Sequence, residues 1–305
     1  QLTKFFKNWA ADADLLPRST NTEQEFVHWE RWTEAAARAQ DDTLAAFAAA
    51  AREDPVVGRL LAAVFGNSPF LSQCLISDQG FARELLQSGP DEALSRTMAV
   101  TADRSSLGRE NAEQAKRRLR EAKHRAALTI GIADIAGTWS LQQITGALSD
   151  FAAEALGASC RFLLREMHDK GDLALPDPDI PENDSGLIVL GMGKLGAREL
   201  NYSSDIDLIL LYDQDTVPVT GQDGLQHLFT RFARNLVALM DERTKDGYVF
   251  RTDLRLRPDP GATPPAISVL AAEMYYESTG QNWERAAMIK ARPVAGDEQA
   301  GLAFL

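Results

Sequence analysis

Proline is absent between Pro90 and Pro176, and this gap constrains the fold more than any other feature of the sequence. Proline breaks a helix interior because it lacks a backbone N–H donor and its ring clashes with the preceding turn. The first 175 residues are also rich in Ala, Leu, Glu and Arg, which favour helix. We therefore predict an all-helical N-terminal domain over residues 1–180, with long uninterrupted helices in its second half.

One of these helices is predicted over residues 113–135, where apolar side chains recur at three- and four-residue steps. Its opposite face is basic and consists of Lys116, Arg117, Arg118, Arg120, Lys123 and Arg125. Two interpretations of this face stay open. It is either a solvated helix surface or a surface that faces a phosphate held by the second half of the chain.

A Pro- and Asp-rich segment over residues 175–186 ends the helical part, since no helix can cross it. Beyond it, continuous apolar runs at 187–190 and 206–212 predict two central strands. A helical pattern covers residues 222–242, and Gly247 is the signal that ends this predicted helix.

Strict alternation over residues 248–256 predicts a third strand, with an apolar face and a charged face. The helical period returns over residues 271–290. We place a catalytic domain at 186–270 and a helical segment that packs back on it at 271–305. The expected fold class is α+β, a mainly helical protein with a small mixed sheet.

Charge and composition exclude several classes of protein. The 44 acidic against 32 basic residues give a net charge of -12, which disfavours binding to a nucleic acid polymer or an anionic membrane. We find neither an apolar run of about 20 residues nor a signal peptide, and we expect a cytoplasmic protein. The chain has only two cysteines, and they lack zinc-site spacing. This small number and this spacing disfavour both a disulfide scaffold and a structural zinc site. The apolar ending at Leu305 and the start at Gln1 suggest a piece of a longer protein.

The segment 191–196 reads GMGKLG and follows an apolar run, so it matches the GxGxxG motif of dinucleotide-binding oxidoreductases, with Asp213 as a ribose contact. That interpretation fails on length, because only eight residues, 197–204, precede the next strand and a parallel crossover needs about a dozen. Two alternatives stay open. The glycines form a phosphate cradle, to which Lys194 adds a positive charge, or they form a plain tight turn.

Two aspartates lie at the start of the second predicted strand. Asp205 and Asp207 are two residues apart, so their side chains project from the same face. A divalent cation is the simplest way to offset their repulsion, and oxygen ligands favour Mg²⁺, with Mn²⁺ as a second choice. Asp253 offers a third carboxylate, and three carboxylates suit two Mg²⁺ ions about 3.5–4 Å apart. The alternative is a pair of capping aspartates that form salt bridges with arginines.

The combination of a strand, a Gly-rich turn with a base, a Ser-Asp-x-Asp strand and a distant aspartate resembles the nucleotidyltransferase superfamily that includes DNA polymerase beta. The match extends further. The phrases GLIVLGMGKLGARELNYSSDIDLILLYD, FGNSPFLSQCLISD, RTDLRLRPDP and YYESTGQNWERAAMIKARPVAGD resemble those of the bacterial glutamine synthetase adenylyltransferase/adenylyl-removing enzymes. These enzymes carry two such catalytic heads, and the resemblance implies a polymerase-beta-like sheet here.

The resemblance also indicates which head is present. In that family the AMP-removing head typically reads N-x-S-S-D-I-D-L and the AMP-adding head reads G-x-G-S-D-L-D-L. Residues 201–208 read NYSSDIDL and follow the first pattern. The resemblance therefore implies an adenylyl-removing nucleotidyltransferase. In such an enzyme, phosphate attacks the AMP esterified to a tyrosine of glutamine synthetase and releases ADP.

The resemblance assigns roles to residues of this chain. Asp205, Asp207 and Asp253 become catalytic metal ligands, and Gly193 and Lys194 face the nucleotide phosphate. Arg251, Arg255 and Lys290 are candidates to position the incoming phosphate. The alternative is that these three residues are ordinary ion-pair partners. Ser203 and Ser204 either bind phosphate or cap the turn.

The expected partners are adenylylated glutamine synthetase, ADP and phosphate, and the PII signal protein as a regulator. Two other functions compete with this one. The first is the opposite reaction, transfer of AMP from bound ATP to the glutamine synthetase tyrosine. The second is a regulatory module that senses PII without chemistry of its own.

Overall fold

The computed structural model describes residues 13–220 and 224–305, and it confirms the α+β class. After a short 3-10 turn, the helices are α1 (Thr22–Arg38), α2 (Asp42–Glu53), α3 (Pro55–Asn67), α4 (Pro69–Ser77), α5 (Gln79–Ser88), α6 (Pro90–Ala102), α7 (Ala112–Ile135), α8 (Leu141–Asp169), α9 (Gly193–Gly196), α10 (Leu225–Asp241), α11 (Val269–Ser278), α12 (Asn282–Met288) and α13 (Glu298–Phe304). The strands are β1 (Leu187–Gly191), β2 (Ile206–Tyr212), β3 (Thr252–Asp253), β4 (Ala266–Ser268) and β5 (Arg292–Gly296). Residues 1–12 of the predicted helical domain and 222–223 of a predicted helix lie outside the described residues.

Proline placement explains the helix lengths. Asp54 and Ser68 each precede a proline, and their side chains accept hydrogen bonds from first-turn N–H groups of α3 and α4. This part of the chain is therefore divided into short helices. Where proline is absent, α7 and α8 run for 24 and 29 residues. The predicted long helices are confirmed.

The chain folds as two compact units. The first contains the described residues up to Ala99 together with Ala122–Ile144, and the second contains Val100–Glu121 and Thr145–Leu305. Helices α7 and α8 thus contribute residues to both units. This division differs from the boundary predicted within residues 175–186, and the proposed domain limits stay a prediction.

The first unit has an aromatic core. Trp32 and Phe65 are fully buried, and the ring of Trp29 meets that of Phe65 edge-on at 4.9 Å between centroids. Aliphatic side chains from α3, α4 and α5 complete this core. Cys74 is buried there as a free thiol, as Cys160 is in the second unit, in agreement with the absence of a disulfide scaffold.

The second unit contains a mixed sheet with strand order β3-β2-β1-β5, and β4 also pairs with β2. β1 is antiparallel to β2 and to β5, whereas β2 is parallel to β3 and β4. Both predicted central strands are confirmed. The antiparallel pairing of β1 with β2 is incompatible with the parallel crossover of a dinucleotide-binding fold, so rejection of that alternative is also confirmed.

The prediction of a strand over residues 248–256 is wrong, since only Thr252 and Asp253 lie in β3. Val249 and Phe250 are both buried, which breaks the alternation, and their N–H groups donate to the Met240 carbonyl at the end of α10. The side chain of Arg257 donates to the Leu254 carbonyl at 2.8 Å and stabilises a turn.

The predicted helical segment 271–305 also differs from the structure. Helices α11 and α12 are separate, because Thr279 and Gly280 donate to the Tyr275 carbonyl and end α11. Residues Arg292–Gly296 form β5, which completes one edge of the sheet beside β1. No helix within the described residues is long and apolar enough to span a membrane.

Candidate active site

The three predicted aspartates converge on two adjacent strands. Asp207 of β2 and Asp253 of β3 are register partners in a parallel pair, and Asp205 directly precedes β2. Partners in adjacent parallel strands project to the same face of a sheet, and so do residues two apart on one strand. Asp207 and Asp253 therefore lie on one face of the sheet, and Asp205 is near enough for its charge to raise the pKa of Asp207.

Asp207 differs from its two neighbours in having no partner. Its side chain is half-buried, and the described residues supply it with neither a hydrogen bond nor an ion pair. Burial raises the pKa of Asp207, and repulsion from Asp253 and then Asp205 raises it further, against the opposing charges of Arg255 and Lys194. The site thus keeps one carboxylate that no cation contacts directly, although the charges of Arg255 and Lys194 act on it from a distance.

Two arginines hold the other two carboxylates. The Nε of Arg251 donates to Oδ1 of Asp205 at 2.5 Å, and its Nη2 donates to the Ser203 carbonyl at 2.6 Å. The Nε of Arg255 donates to both oxygens of Asp253, at 3.0 and 2.9 Å. The hydrogen bond from Arg255 is the main reason why the pKa of Asp253 is lowered. Both arginines are therefore ion-pair partners of aspartates in this structure.

These pairs decide how the carboxylates fit a metal ion. As the side chains stand, no group of three His, Cys, Asp or Glu residues within the described part of the chain is arranged to hold a metal. The donor chemistry nevertheless fits Mg²⁺ or Mn²⁺, because three hard carboxylates lie near one another and the oxygens of Asp207 are unpaired. A metal site formed by these three aspartates therefore stays a prediction.

The glycine turn lies against the unpaired carboxylate. Gly193 adopts φ +52°, and a Cβ added to it would lie 3.3 Å from Oδ2 of Asp207. The N–H of Met192 donates to the Asp207 carbonyl at 2.9 Å, which fixes this approach. Glycine is also needed at position 196, because a Cβ added there would lie 1.8 Å from the carbonyl oxygen of Lys290.

Asn201 is a site residue to which sequence reasoning gave no role. Its Oδ1 accepts a hydrogen bond from Nζ of Lys194 at 3.2 Å and another from the Ser204 hydroxyl. Ser203 is exposed and has φ +57°, which turns the chain into β2. The NYSSDID motif contains Asn201, so the signal was present. The motif alone does not show that this amide links Lys194 to Ser204.

The loop that carries these residues is held by α8. Arg198 forms a forked pair with Asp150, with contacts of 2.9 and 2.5 Å, and the N–H of Leu200 donates to the Ser149 hydroxyl at 3.1 Å. Both partners lie in the part of α8 that belongs to the second unit. The long helix therefore positions the active-site loop.

Lys290 is not brought into the cluster of carboxylates. Its Nζ pairs with Oε2 of Glu199 at 2.9 Å, and it makes no ion pair with Asp205, Asp207 or Asp253 within the described residues. Its role as a phosphate ligand stays a prediction. The backbone of Lys290 does pack closely against the glycine turn.

The basic face of α7 is largely occupied by structural contacts. Arg120 is fully buried and donates to the carbonyls of Gly247 and Leu239 at 2.9 and 3.1 Å, and also to those of Lys116 and Glu242. The ammonium of Lys116 pairs with Glu242 at 2.7 Å. For Arg120, the interpretation as a solvated face and the interpretation as a phosphate-facing surface are both wrong.

Comparison with known proteins places the chain in a family. Residues 58–305 match the family described as glutamate-ammonia ligase adenylyltransferase. The bifunctional glutamine synthetase adenylyltransferase/adenylyl-removing enzyme of Rhizobium meliloti (strain 1021) is 48% identical over 250 residues, which are 80% of this chain and 25% of the relative.

Two further relatives carry the same name. The Mesorhizobium japonicum protein is 47% identical over 275 residues, which are 86% of this chain and 28% of the relative. The Rhodopseudomonas palustris (strain ATCC BAA-98 / CGA009) protein is 43% identical over 279 residues, 91% of this chain and 28% of the relative. The chain thus spans about a quarter of the length of these curated relatives.

Proposed function

The chain belongs to the glutamate-ammonia ligase adenylyltransferase family, and we propose that it is an adenylyl-removing nucleotidyltransferase domain. Its proposed substrate is glutamine synthetase that carries AMP on a tyrosine, and inorganic phosphate is the second substrate. The products are ADP and the free tyrosine. The proposal takes the substrate from the names of the relatives.

The observation that carries this proposal is the partnerless carboxylate of Asp207 between two further aspartates. Attack of phosphate on an adenylyl phosphorus brings anions together, so the reaction needs cations where it occurs. Asp205, Asp207 and Asp253 would hold Mg²⁺ or Mn²⁺, which when bound neutralises charge on the reacting phosphates. Binding of ATP would be required only for the opposite reaction, the transfer of AMP to the tyrosine.

The remaining site residues supply charge and backbone donors. An oxygen of inorganic phosphate, HPO₄²⁻, forms a bond to the adenylyl phosphorus while the bond from this phosphorus to the tyrosyl oxygen breaks. The proton that the phosphate gives up ends on the tyrosyl oxygen, so the products are ADP and a neutral phenol. Gly193 keeps the turn free of side-chain bulk beside Asp207, and Lys194 adds a positive charge near this carboxylate. A free phenol has a pKa of about 10, so it is a tolerable leaving group once its charge is neutralised.

The direction of the reaction is supported by the motif at residues 201–208, which reads NYSSDIDL as in AMP-removing heads. The side-chain oxygen of Asn201 in this motif accepts hydrogen bonds from Lys194 and Ser204, which supports a place for Asn201 in the proposed site. The family resemblance also supports a cytoplasmic location and regulation by the PII signal protein.

Product analysis tests the proposal. The chain is incubated with adenylylated glutamine synthetase, phosphate and Mg²⁺, and separately with unmodified glutamine synthetase and ATP. We expect ADP in the first reaction and no pyrophosphate in the second. Pyrophosphate without ADP would instead favour adenylyl transfer. Binding of PII without turnover in either reaction would favour a regulatory module.

A further inference from the structure

We propose that Arg251 and Arg255 are exchangeable counter-cations of the active site. They neutralise Asp205 and Asp253 while no divalent cation is bound, and they move to the phosphate groups of the substrate when the cation binds. The inference rests on the proposed function, because that function supplies the anionic ligand. The inference adds that binding of the divalent cation makes tight binding of the anionic substrate possible.

The hydrogen bonds of the two arginines support this exchange. Arg255 occupies both carboxylate oxygens of Asp253, and Arg251 occupies Oδ1 of Asp205. A divalent cation that uses Asp205 and Asp253 together with Asp207 needs the same oxygens. The arginines and the cation therefore compete for these carboxylate oxygens.

The charges of the site lead to the same conclusion. Asp205, Asp207 and Asp253 are balanced one for one by Arg251, Arg255 and Lys194, all of which act on this group of carboxylates. A divalent cation added to this balanced set leaves an excess of positive charge. That excess attracts a phosphate group, whereas the cation-free site has little net charge with which to bind one.

The arginines are built to change partners. The side chain of Arg255 is 83% exposed, so its guanidinium is free to swing into solvent. Arginine stays charged at any relevant pH, and its fork of N–H donors fits phosphate as well as carboxylate. A guanidinium displaced from Asp205 or Asp253 therefore remains a phosphate ligand close to the cation.

This exchange predicts coupling between the two ligands. If the cation frees the arginines for the anion, then the anion must tighten binding of the cation by the same factor, because linkage is reciprocal. A coupling of this kind is about 5-fold or more. It concerns equilibrium binding and does not require turnover.

The test uses the 305-residue chain, MnCl₂ and AMP, an adenylyl-group mimic. Free Mn²⁺ is counted by its paramagnetic resonance signal in titrations with and without AMP, and a protein-free titration corrects for Mn²⁺ bound to AMP. The variants are Arg255→Gln and Arg251→Gln, with circular dichroism to check the fold. Arg38→Gln is the matched control, because Arg38 is also an exposed arginine paired with a carboxylate, Glu34.

We expect AMP to tighten Mn²⁺ binding of the wild-type chain by about 5-fold or more. Without AMP, Arg255→Gln should bind Mn²⁺ about 2- to 5-fold more tightly than wild type, because a competitor is gone, and it should show weaker coupling to AMP. Arg38→Gln should behave as wild type. Independent binding of Mn²⁺ and AMP, unchanged or weaker Mn²⁺ binding by Arg255→Gln, or no Mn²⁺ binding at all would each overturn the inference. Failure of the proposed function is seen separately, as the absence of ADP in the product analysis.

Discussion

Asp207 and Asp253 occupy the same register position of two parallel strands, yet within the described residues only Asp253 has a cationic partner. The hydrogen bond from Arg255 lowers the pKa of Asp253, whereas burial and repulsion from Asp253 and Asp205 raise the pKa of the half-buried Asp207. The pKa values of two aspartates in the same strand pair are thus shifted in opposite directions. This asymmetry identifies Asp207 as the carboxylate that most needs a cation.

Replacement of Asp207 by asparagine should strongly reduce the rate of catalysis while preserving the fold. The amide keeps the shape of the side chain but loses the negative charge, so we expect the rate of ADP release to fall about 10²- to 10³-fold. Thermal stability should not decrease, because the substitution also removes the repulsion from Asp253 and Asp205. The measurements are ADP release and a calorimetric Tm.

Asp215→Asn is the matched control for this variant. Asp215 is an exposed residue in the loop after β2, and its substitution makes the same chemical change outside the carboxylate cluster. It should leave ADP release unchanged. Retention of wild-type activity by Asp207→Asn would remove the basis for a cation at this site.

Lys123 should make the first unit more stable as the pH rises. Burial lowers the pKa of Lys123 to about 8 from the usual 10.5, so the folded chain loses this proton before the unfolded chain does. Between these pH values the unfolded state binds more protons, and the free energy of unfolding therefore increases with pH, by about 1–3 kcal/mol. Denaturant titrations at pH 7.5 and 10 measure this increase.

The variant Lys123→Met cannot titrate and should lack the contribution of Lys123 to this increase. Other groups that titrate at alkaline pH are present in both proteins, so the difference between the two curves isolates Lys123. Parallel stability curves for wild type and Lys123→Met would show that the ammonium is not desolvated in the folded state.

Arg120 should contribute strongly to the stability of the second unit. Its buried guanidinium binds the carbonyls of Leu239 and Glu242 at the end of α10, where the helix dipole favours a positive charge. Arg120→Ala leaves these buried acceptors unpaired, and we expect a loss of about 2–4 kcal/mol in the free energy of unfolding.

Arg120→Lys tests the geometric part of this argument. A lysine keeps the charge but lacks the planar fork, so it should recover only a fraction of the lost stability. Urea denaturation followed by circular dichroism measures both variants. Full recovery by lysine would mean that the charge alone matters, and a neutral effect of Arg120→Ala would contradict the observed hydrogen bonds.

Gly196→Ala should disrupt the glycine turn. The added Cβ would lie 1.8 Å from the Lys290 carbonyl oxygen and 2.5 Å from that of Gly191, so the backbone must move. Overpacking against backbone costs about 1–3 kcal/mol or more. The matched control is Gly80→Ala in α5, where the nearest atom to an added Cβ is 3.8 Å away.

Gly80→Ala should be neutral or stabilising by up to about 1 kcal/mol, since alanine favours helix. Soluble yield and denaturant midpoints compare the two variants. Equal stability of Gly196→Ala and Gly80→Ala would show that the approach of Lys290 to the turn is looser than the structure indicates.

The parts of the fold that were predictable are those that a local pattern specifies. Continuous apolar runs gave β1 and β2 to within one residue, and the missing prolines gave α7 and α8. The spacing of Asp205 and Asp207 also placed both residues at the start of β2, where the charge of Asp205 acts on Asp207.

The parts that failed depend on distant partners. Alternation over 248–256 cannot distinguish a strand from a segment whose N–H groups donate to the end of α10. The strand β5 contains Pro293 and is defined by its pairing with β1. Burial of Arg120 depends on carbonyls more than 100 positions along the chain, and no periodicity within α7 reveals them.

The most direct test of adenylyl removal follows the phosphate itself. Adenylylated glutamine synthetase is incubated with the chain, Mg²⁺ and radiolabelled inorganic phosphate, and the nucleotide product is separated and degraded to locate the label. We predict labelled ADP with all of the label in the β-phosphate, and its formation should be about 10²- to 10³-fold slower with Asp207→Asn. Release of unlabelled AMP by the wild-type chain would contradict phosphorolysis, because water and not phosphate would then be the attacking group.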